Sequence, residues 1–259
     1  MALLKMERQN KIKRIEFVTN YYDSLIKYTL PEYSKYKAKK IVEHQYRRYM
    51  LSKKKLNNPR FRAYIRLISI FPHIKMVGLS GSISMMNAKD SDDIDLFVIT
   101  SRKRLFTGRF ISLLIAQILG IRRKFNAMDK AEGSRDKVCL NLFFDEANLK
   151  IPNAKKTNYV GHEVLQLKLL VNKSQMYEKF ILSNRWVFNF FPNATFNNIK
   201  ALEIKRKTSL ASLVGDIFEL ILKRFQLLFI NRHKTCEHIT DTQLWFHPVD
   251  FQNKINESK

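Results

Sequence analysis

The chain is organised around residues 75–100, which read KMVGLSGSISMMNAKDSDDIDLFVIT. In this stretch an apolar run leads into a Gly-Ser corner, and a second apolar run opens with two alternating carboxylates. Because the side chains of a strand point alternately to its two faces, Asp93 and Asp95 are expected to project from the same face. Carboxylates held side by side repel each other, and a divalent cation relieves that repulsion. The stretch therefore predicts a cation site at the start of a strand.

The Gly-Ser corner predicts a place for an anion. Gly81 leaves room for a close backbone approach, and a short helix that begins at Ser82 would direct its free N–H groups at a phosphate. A substrate that carries phosphate and magnesium together would satisfy both the corner and the carboxylates. The alternative is a solvated loop in which Ser91 and Asp92 only cap a connection. The apolar, β-branched run over 94–99 favours the first interpretation, because it predicts a buried strand with carboxylates at its mouth.

These residues also match a family pattern. Gly81-Ser82, separated by ten residues from Asp93-Ile94-Asp95-Leu96, resembles the signature of the DNA polymerase beta-like nucleotidyltransferase superfamily. That signature places a Gly-Ser or Gly-Gly pair ahead of an acidic-apolar-acidic triplet on a strand, and the resemblance covers residues 74–145. The wider chain resembles a prokaryotic branch of that superfamily in the phrases Asp92-Asp93-Ile94-Asp95, Cys139-Leu140-Asn141-Leu142-Phe143, Gly161-His162-Glu163, Asn184-Arg185-Trp186 and Phe246-His247-Pro248. The resemblance implies an α+β fold in which helices pack on a small mixed sheet.

The resemblance also implies a role for each residue of the motif. Gly81 and Ser82 would hold the β- and γ-phosphates of a nucleoside triphosphate (NTP). Asp93 and Asp95 would bind Mg²⁺ or Mn²⁺, which neutralises the triphosphate and the charge that develops at the attacked phosphorus. The implied reaction is transfer of a nucleoside monophosphate from the NTP to an acceptor hydroxyl, with release of pyrophosphate.

The third predicted strand, over 138–144, departs from the family pattern. Active members of the superfamily generally carry a third carboxylate there, which helps to hold metal and can deprotonate the acceptor. The polar residue of this strand is Asn141, whose amide oxygen can coordinate a metal but cannot act as a general base. Asp136 and Asp145, which flank the strand, would take that place only in a different register. Asn141 is therefore assigned to the third catalytic position in altered form.

Apolar periodicity and turn residues divide the chain into three regions. Residues 1–70 are predicted to form a basic helical N-terminal region, residues 71–150 the nucleotidyltransferase core, and residues 151–259 a helical C-terminal region. Apolar residues recur at helical spacing from 12 to 26. Helices are predicted over 34–51, 59–70, 82–87, 104–119, 159–171, 175–191 and 208–230. Strands are predicted over 74–79, 94–100 and 138–144. His162 and Glu163, near the start of one helix, are interpreted as capping or packing residues rather than as contacts to a base or an acceptor.

The chain is strongly basic, and the excess charge is unevenly placed. Its formal net charge is +24, from 47 Lys and Arg against 23 Asp and Glu. Through residue 75 there are 19 Lys and Arg against 5 Asp and Glu, so more than half of the excess precedes the core. Over 33–55 these cations are interleaved with tyrosines, which is what a surface needs to hold phosphates and stack bases, so RNA or another polyanion is a candidate partner. A solvated helical face above half-buried tyrosines is an equally good interpretation.

The composition predicts a cytoplasmic protein. Two cysteines far apart in the chain, Cys139 and Cys236, indicate a reducing compartment and no disulfide framework. The N-terminus lacks the apolar run of a signal peptide, and the longest apolar stretch, over 110–121, is too short to span a bilayer. No integral membrane association is therefore expected.

Three functions are compatible with the sequence. The first is the Mg²⁺-dependent nucleotidyltransferase described above. The second is a catalytically weak or inactive module of the same fold that binds NTP and RNA. Asn141 favours this second function, whereas Asp93 and Asp95 argue against it, because adjacent carboxylates are costly to keep without a cation. The third is a protein-interaction role like that of nucleotidyltransferase-type antitoxins, which pair with a helical toxin.

Overall fold

The computed structural model describes residues 32–123, 135–194, 211–233 and 238–246. The chain divides into two compact units, Met1–Met50 and Leu51–Lys259. The described part of the first unit is the beginning of helix α1, Glu32–Leu56, and the elements that follow α1 belong to the second unit. The helical spacing predicted from 12 to 26 lies outside the described residues, as do Cys236 and the last two residues of the Phe246-His247-Pro248 phrase.

Seven further α-helices follow α1 in the described part of the chain. They are α2 (Pro59–Ile70), α3 (Gly81–Ser84), α4 (Leu105–Ile118), α5 (Asn158–Gln166), α6 (Met176–Ser183), α7 (Val187–Phe190) and α8 (Ala211–His233). Two of them begin at a side-chain cap. Asn58 accepts the N–H of Arg60 ahead of α2, and Thr157 accepts the N–H of Val160 ahead of α5. Such acceptors satisfy N–H groups that the first turn of a helix leaves unpaired.

Six strands of the described residues form one mixed sheet. They are β1 (Ile74–Leu79), β2 (Ile94–Thr100), β3 (Val138–Asp145), β4 (Lys168–Asn172), β5 (His238–Ile239) and β6 (Gln243–Trp245). Their spatial order is β4-β1-β2-β3-β6-β5, in which β2 and β3 run parallel and the other neighbours run antiparallel. The predicted α+β fold, a mixed sheet with flanking helices, is therefore confirmed.

The sheet separates two apolar cores, and β2 contributes to both because its side chains alternate. Leu96 and Val98 belong to a core that includes residues of α2 and α4. Phe97 and Ile99 belong to a second core that includes residues of α5, α6 and α7. Asp95 lies two residues before Phe97 and four before Ile99, so its side chain is on the same face of the strand. The candidate carboxylate therefore continues the face of the sheet that α5 covers.

Helix α8 is joined to α4 by polar contacts as well as by apolar packing. Glu219 accepts the N–H groups of Phe106 and Thr107 at 2.7 and 2.8 Å, so it caps the start of α4 from outside that helix. Leu222 is buried in the first core, whereas Val214, on the same helix, is exposed. In the described part of the chain, no helix combines the length and the apolar character that crossing a membrane requires.

The helix predicted over 159–171 is wrong in its second half. Helix α5 ends at Gln166, and the chain continues as β4, which pairs with β1. An apolar run of this kind fits either element by its periodicity. The free edge of β1 decides between them, because it offers hydrogen-bond partners to the backbone of residues 168–172. The sequence predicts neither β5 nor β6, so the region after 151 also adds three strands to the sheet.

The helix predicted over 175–191 is divided into α6 and α7 by Asn184. The Nδ2 of this buried residue donates to the carbonyls of Leu149 and Phe180, both at 2.8 Å. Its Oδ1 accepts the N–H of Ile151, also at 2.8 Å. Side chains that bond to the backbone in this way compete with helix continuation. Asn184 therefore ends α6 and ties it to the segment that follows β3.

Candidate functional site

The two predicted carboxylates lie at the start of β2. Asp95 is the second residue of the strand, and Asp93 directly precedes the strand. One oxygen of each carboxylate and the Sγ of Cys139 lie within 4.8 Å of one another, a cluster that could hold a metal ion. The structure thus brings Asp93 and Asp95 together as strand alternation predicts. It adds a thiol that the sequence pattern does not point to.

The Gly-Ser corner lies against Asp95. Helix α3 begins at Gly81, whose φ is +66°. A Cβ at this position would lie 2.5 Å from Oδ2 of Asp95. A side chain here would be strained by the left-handed backbone and would displace the Asp95 carboxylate. The N–H of Ser80 donates to the carbonyl of Asp95 at 3.0 Å, which fixes the corner to β2.

The side chain of Ser82 is engaged with the loop that precedes β2. Its Oγ donates to Oδ2 of Asp92 at 2.6 Å, and the N–H of Lys89 donates to the same oxygen at 2.9 Å. The hydroxyl therefore helps to shape the loop that carries Asp93. A contact between Ser82 and phosphate stays a prediction.

A buried lysine also bonds to the loop that precedes β2. Lys55, near the end of α1, has a side chain that is only 3% exposed. Its Nζ donates to the carbonyls of Asp90 and Asp92 at 2.8 and 2.7 Å. It also donates to Oδ1 of Asp136 at 2.8 Å. Three bonds from one ammonium thus connect the loop before β2 with the segment before β3.

Strand β3 places two residues beside Asp95. In the parallel ladder Asp95 pairs with Cys139, and the next pair joins Phe97 to Leu142, so β3 contains a bulge between them. The Nδ2 of Asn141, in the bulged segment, donates to Oδ1 of Asp95 at 3.4 Å. Bulges are frequent beside functional sites, where they redirect side chains. Asn141 therefore lies next to the carboxylates, and its assignment to the third catalytic position stays a prediction.

The two carboxylates that flank β3 are engaged elsewhere. Asp136 forms the ion pair with Lys55. Asp145 accepts the N–H of Lys103 at 2.6 Å and the N–H of Ala147 at 2.7 Å. Burial raises the pKa of Asp145 to about 6, and the two backbone bonds oppose that shift. Neither residue replaces Asn141 beside Asp95.

Arg123 is a cation of the site that the sequence does not single out. Its Nη1 donates to Oδ2 of Asp93 at 2.5 Å and to Sγ of Cys139 at 3.2 Å. The preceding residue, Arg122, forms a parallel bridge with Val138, which holds this segment alongside β3. Arg123 therefore neutralises part of the charge of the cluster.

Glu163 reaches the Gly-Ser corner from helix α5. Its Oε2 accepts the N–H of Gly81 at 3.3 Å. Burial raises the pKa of Glu163 above its usual value, although the bond from Gly81 acts in the opposite direction. This contact corrects the interpretation of Glu163 as a capping or packing residue of its own helix. The neighbouring His162 does pack, with its ring centroid 4.3 Å from that of Phe191.

Burial and mutual repulsion make it costly to ionise the carboxylates of this cluster. Burial, followed by the charges of Asp93 and Glu163, raises the pKa of Asp95 to about 8, and Arg123 opposes this shift. Burial also raises the pKa of the Cys139 thiol. A cation would favour ionised carboxylates here, and Mg²⁺ and Mn²⁺ bind carboxylate oxygens in preference to a neutral thiol. Asp93 and Asp95 therefore fit the expected metal, whereas Cys139 does not fit as its ligand.

No protein-family model matches the chain, and no curated protein matches its sequence. Among solved structures the chain is similar to a mutant of the toxin–antitoxin MntA-HpeT, with 18% identity over 53% of this chain and 91% of the other and a TM-score of 0.30. It is also similar to a toxin–antitoxin with AMP-PNP, with 20% identity over the same shares and a TM-score of 0.31. At this level of likeness neither structure indicates what this chain binds.

A cavity of about 110 Å³ borders Glu163 on the face of the sheet that α5 covers. Most of its walls are apolar side chains of the second core, including Phe97, Leu142 and Trp245. Its polar lining comes from Ser80, Lys155, Tyr159 and Glu163. Apolar walls with a few polar groups are typical of sites that bind small organic groups. The structure therefore provides space for part of a substrate next to the Glu163 carboxyl.

Proposed function

We propose that the protein is a Mg²⁺-dependent nucleotidyltransferase that moves a nucleoside monophosphate from an NTP to an acceptor hydroxyl. The observation that carries this proposal is the cluster at the start of β2. Oxygens of Asp93 and Asp95 converge there within 4.8 Å, beside a glycine backbone that Asp95 leaves no room to substitute. This geometry supports binding of a cation and a phosphate at one place, which phosphoryl transfer requires.

The residues of the site would divide the work as follows. Asp93 and Asp95 would hold Mg²⁺ or Mn²⁺ after Arg123 releases Asp93. The metal would supply charge neutralisation for the triphosphate and for the attacked phosphorus. The N–H of Gly81 and the Ser82 hydroxyl would bind the outer phosphates, which keeps the leaving pyrophosphate in place.

A second candidate function is a catalytically weak or inactive module that binds NTP. The specific observation in its favour is Asn141, an amide that lies 3.4 Å from Asp95 at the position where a third carboxylate is expected. The ion pair between Arg123 and Asp93 also lowers the negative charge available to a metal. Either function leaves the same residues in contact with the nucleotide, so only turnover distinguishes them.

The proposal includes RNA or another polyanion as a partner of helix α1. Lys39, Lys40 and Arg47 are exposed on this helix, and the side chain of Tyr46 is half-exposed. Exposed cations next to an aromatic ring support contacts to phosphates and bases. Supplying RNA among the acceptors in the experiment below tests this part of the proposal.

The deciding experiment measures pyrophosphate release from each of the four NTPs, with Mg²⁺ or Mn²⁺. Cell RNA and a mixture of small hydroxyl compounds serve as acceptors. The wild type is compared with the double variant Asp93→Asn/Asp95→Asn. A control variant, Glu178→Gln/Asp241→Asn, removes the same number of charges from carboxylates that bond to Asn172 and Lys223.

We expect release by the wild type and the control, and loss of both release and Mg²⁺-dependent nucleotide binding in the double variant. Its fold should persist, because asparagine has nearly the size of aspartate and the change removes the repulsion between two partly buried carboxylates. Nucleotide binding without release, still dependent on Asp93 and Asp95, would favour the inactive module. Mg²⁺-nucleotide affinity that is unchanged in the double variant would refute the site assignment itself.

A further inference from the structure

Helix α8 presents a wide apolar surface to solvent. Five of its large apolar residues are between 50% and 72% exposed, namely Val214, Phe218, Ile221, Phe225 and Leu228. Three further apolar residues of the same helix are 49% to 62% exposed. We call these eight residues the α8 stripe. A single exposed apolar side chain needs no explanation, whereas a contiguous stripe of this width indicates an interaction site.

The opposite side of α8 is polar and faces α4. Asp216 pairs with Arg104 at 2.7 Å, and the Nε2 of the buried Gln226 donates to the carbonyl of Phe106 at 2.8 Å. Glu219 caps the start of α4 from the same side. Turning the α8 stripe towards α4 would break these bonds and leave buried polar groups unpaired. The polar contacts therefore keep the α8 stripe on the outside of this helix pair.

The five residues named above follow the spacing of a seam between two helices. Successive members are separated by four, three, four and three positions. This alternation gives an apolar repeat of 3.5 residues, which keeps the seam against a partner helix along its whole length. A lipid surface imposes no such repeat. The spacing therefore favours a helix as the partner of the α8 stripe.

We propose that the α8 stripe packs against the α8 stripe of a second copy of this chain, which makes the protein a two-fold symmetric dimer. Each of the eight residues exposes roughly 100 Å², so the stripe offers about 800 Å². This area exceeds the largest apolar patch of a typical monomer, about 300–600 Å², and equals the share of one partner in a standard interface, about 800 Å². A second copy brings an identical apolar stripe, and two-fold dimers are the commonest closed assemblies.

Arg224 also favours a helix over a bilayer as the partner. This exposed residue lies within the α8 stripe, three positions after Ile221 and four before Leu228. A bilayer would have to accept its cation among the apolar side chains, at a cost in free energy. In a pair of helices, the position that flanks the seam remains in contact with water and commonly carries a charge.

The charge of the chain distinguishes a second copy from an anionic partner. Both copies carry a formal net charge of +24, so repulsion opposes their association and salt screens that repulsion. Added salt should therefore strengthen the dimer. It would weaken the binding of this basic chain to anionic lipid or to nucleic acid.

The test measures the mass of the full chain in solution by sedimentation equilibrium. Concentrations extend to about 100 µM, above the micromolar dissociation constants of the weakest interfaces of this size. The wild type is compared with Ile221→Glu/Phe225→Glu and with the milder Ile221→Ala/Phe225→Ala, which introduces no charge. The matched control, Leu67→Glu/Ile70→Glu, places two glutamates at apolar positions of α2 that are 41% and 70% exposed.

We expect twice the mass of one chain for the wild type and for the control. The glutamate variant should raise the dissociation constant by about 1,000-fold or more, because its charges would be buried between the two helices. The alanine variant should raise it by about 100-fold. Circular dichroism should show the same helix content in all four proteins, because the changed side chains are exposed. Added sodium chloride should lower the dissociation constant of the wild type.

Three results would overturn the inference. They are a wild type with the mass of one chain at every concentration, a dimer that neither α8 variant weakens, and a dimer that the α2 control weakens as much as the α8 variants do. Flotation with vesicles of phosphatidylcholine and phosphatidylserine identifies one alternative. A wild type that has the mass of one chain and floats with these vesicles, while the glutamate variant does not, would assign the α8 stripe to lipid. The inference does not rest on the proposed function, so absence of pyrophosphate release leaves it unchanged.

Discussion

Replacing Gly81 with alanine tests the close approach between the Gly-Ser corner and Asp95, and Gly120 provides a matched control. Both glycines have φ of +66°, so alanine suffers the same backbone strain at either position, about 1–2 kcal/mol. Alanine also restricts the unfolded chain more than glycine does, which offsets about 0.4–1 kcal/mol at both positions. The backbone terms therefore cancel in the comparison.

The space around the added methyl group differs between the two positions. At Gly120 a Cβ would meet Nη1 of Arg60 at 3.9 Å, an ordinary contact. At Gly81 it would meet Oδ2 of Asp95 at 2.5 Å, so the carboxylate must leave its rotamer at a cost of about 0.5–1.5 kcal/mol. We expect Gly120→Ala to lower the free energy of unfolding by about 1 kcal/mol and Gly81→Ala by about 2 kcal/mol.

Urea denaturation measures the two costs, and isothermal titration with Mn²⁺ and a non-hydrolysable ATP analogue measures the effect on the site. Displacement of Asp95 should weaken metal-dependent nucleotide binding by about tenfold or more in Gly81→Ala, which corresponds to about 1.4 kcal/mol. Gly120→Ala should bind as the wild type does. Equal losses of stability together with equal affinities would refute the assigned contact between Gly81 and Asp95.

Two further variants test the surroundings of the site. Lys55→Met removes the three bonds of a buried ammonium. Because Asp136 is 37% exposed and water can reach it, we expect the free energy of unfolding measured in urea to fall by about 2–3 kcal/mol. The exposed control Lys54→Met should lower it by less than about 0.5 kcal/mol. Equal losses in both lysine variants would contradict the stabilising role assigned to the three Lys55 bonds. Asp145→Asn should change the pH dependence of stability. The folded pKa of Asp145, about 6, lies above its ordinary value of 3.8, so its contribution is fully present below pH 4 and declines by about 2–3 kcal/mol as pH rises through 6. Unfolding measured from pH 4 to 7 should therefore decline less steeply in Asp145→Asn, and parallel curves would show that this carboxyl is not perturbed.

The elements next to the motif could be predicted from sequence because their signals are local. The observed bounds of α2, β1 and β2 coincide with the predictions over 59–70, 74–79 and 94–100. Each is bounded by residues with a strong local conformational preference. At the start of α2, for example, Asn58 caps the helix and Pro59 is its first residue. Strand alternation then suffices to place Asp93 and Asp95 together.

Strand β4 could not be predicted in this way, because its conformation depends on a partner that is remote in sequence. Lys168 pairs with Leu79 and Asn172 with Met76, so the decisive bonds come from β1. The spacing of the apolar residues over 159–171 is compatible with a helix as well as with a strand. What selects a strand here is the open edge of a sheet already formed by other segments.

The sequence does not place Arg123 and Glu163 in the site for the same reason, since their partners are remote in sequence. Arg123 is 30 positions from Asp93, and Glu163 is 82 positions from Gly81. Neither spacing follows from the period of a helix or a strand. The nearest signal was the Gly161-His162-Glu163 phrase within the family resemblance, which marks Glu163 without indicating what it contacts.

Arg123 and Glu163 each contact a group that the proposed function assigns to the metal or to the nucleotide. Arg123 bonds to Asp93, and Glu163 occupies the N–H of Gly81, so one residue takes the place of a cation and the other the place of an anion. A metal-bound nucleotide carries both charges and would replace both contacts in one event. Binding of the metal alone must displace Arg123 while leaving Glu163 next to Asp95, whose pKa Glu163 helps to raise to about 8. For this reason the metal and the nucleotide should bind with positive coupling, since each removes a contact or a charge that opposes the other.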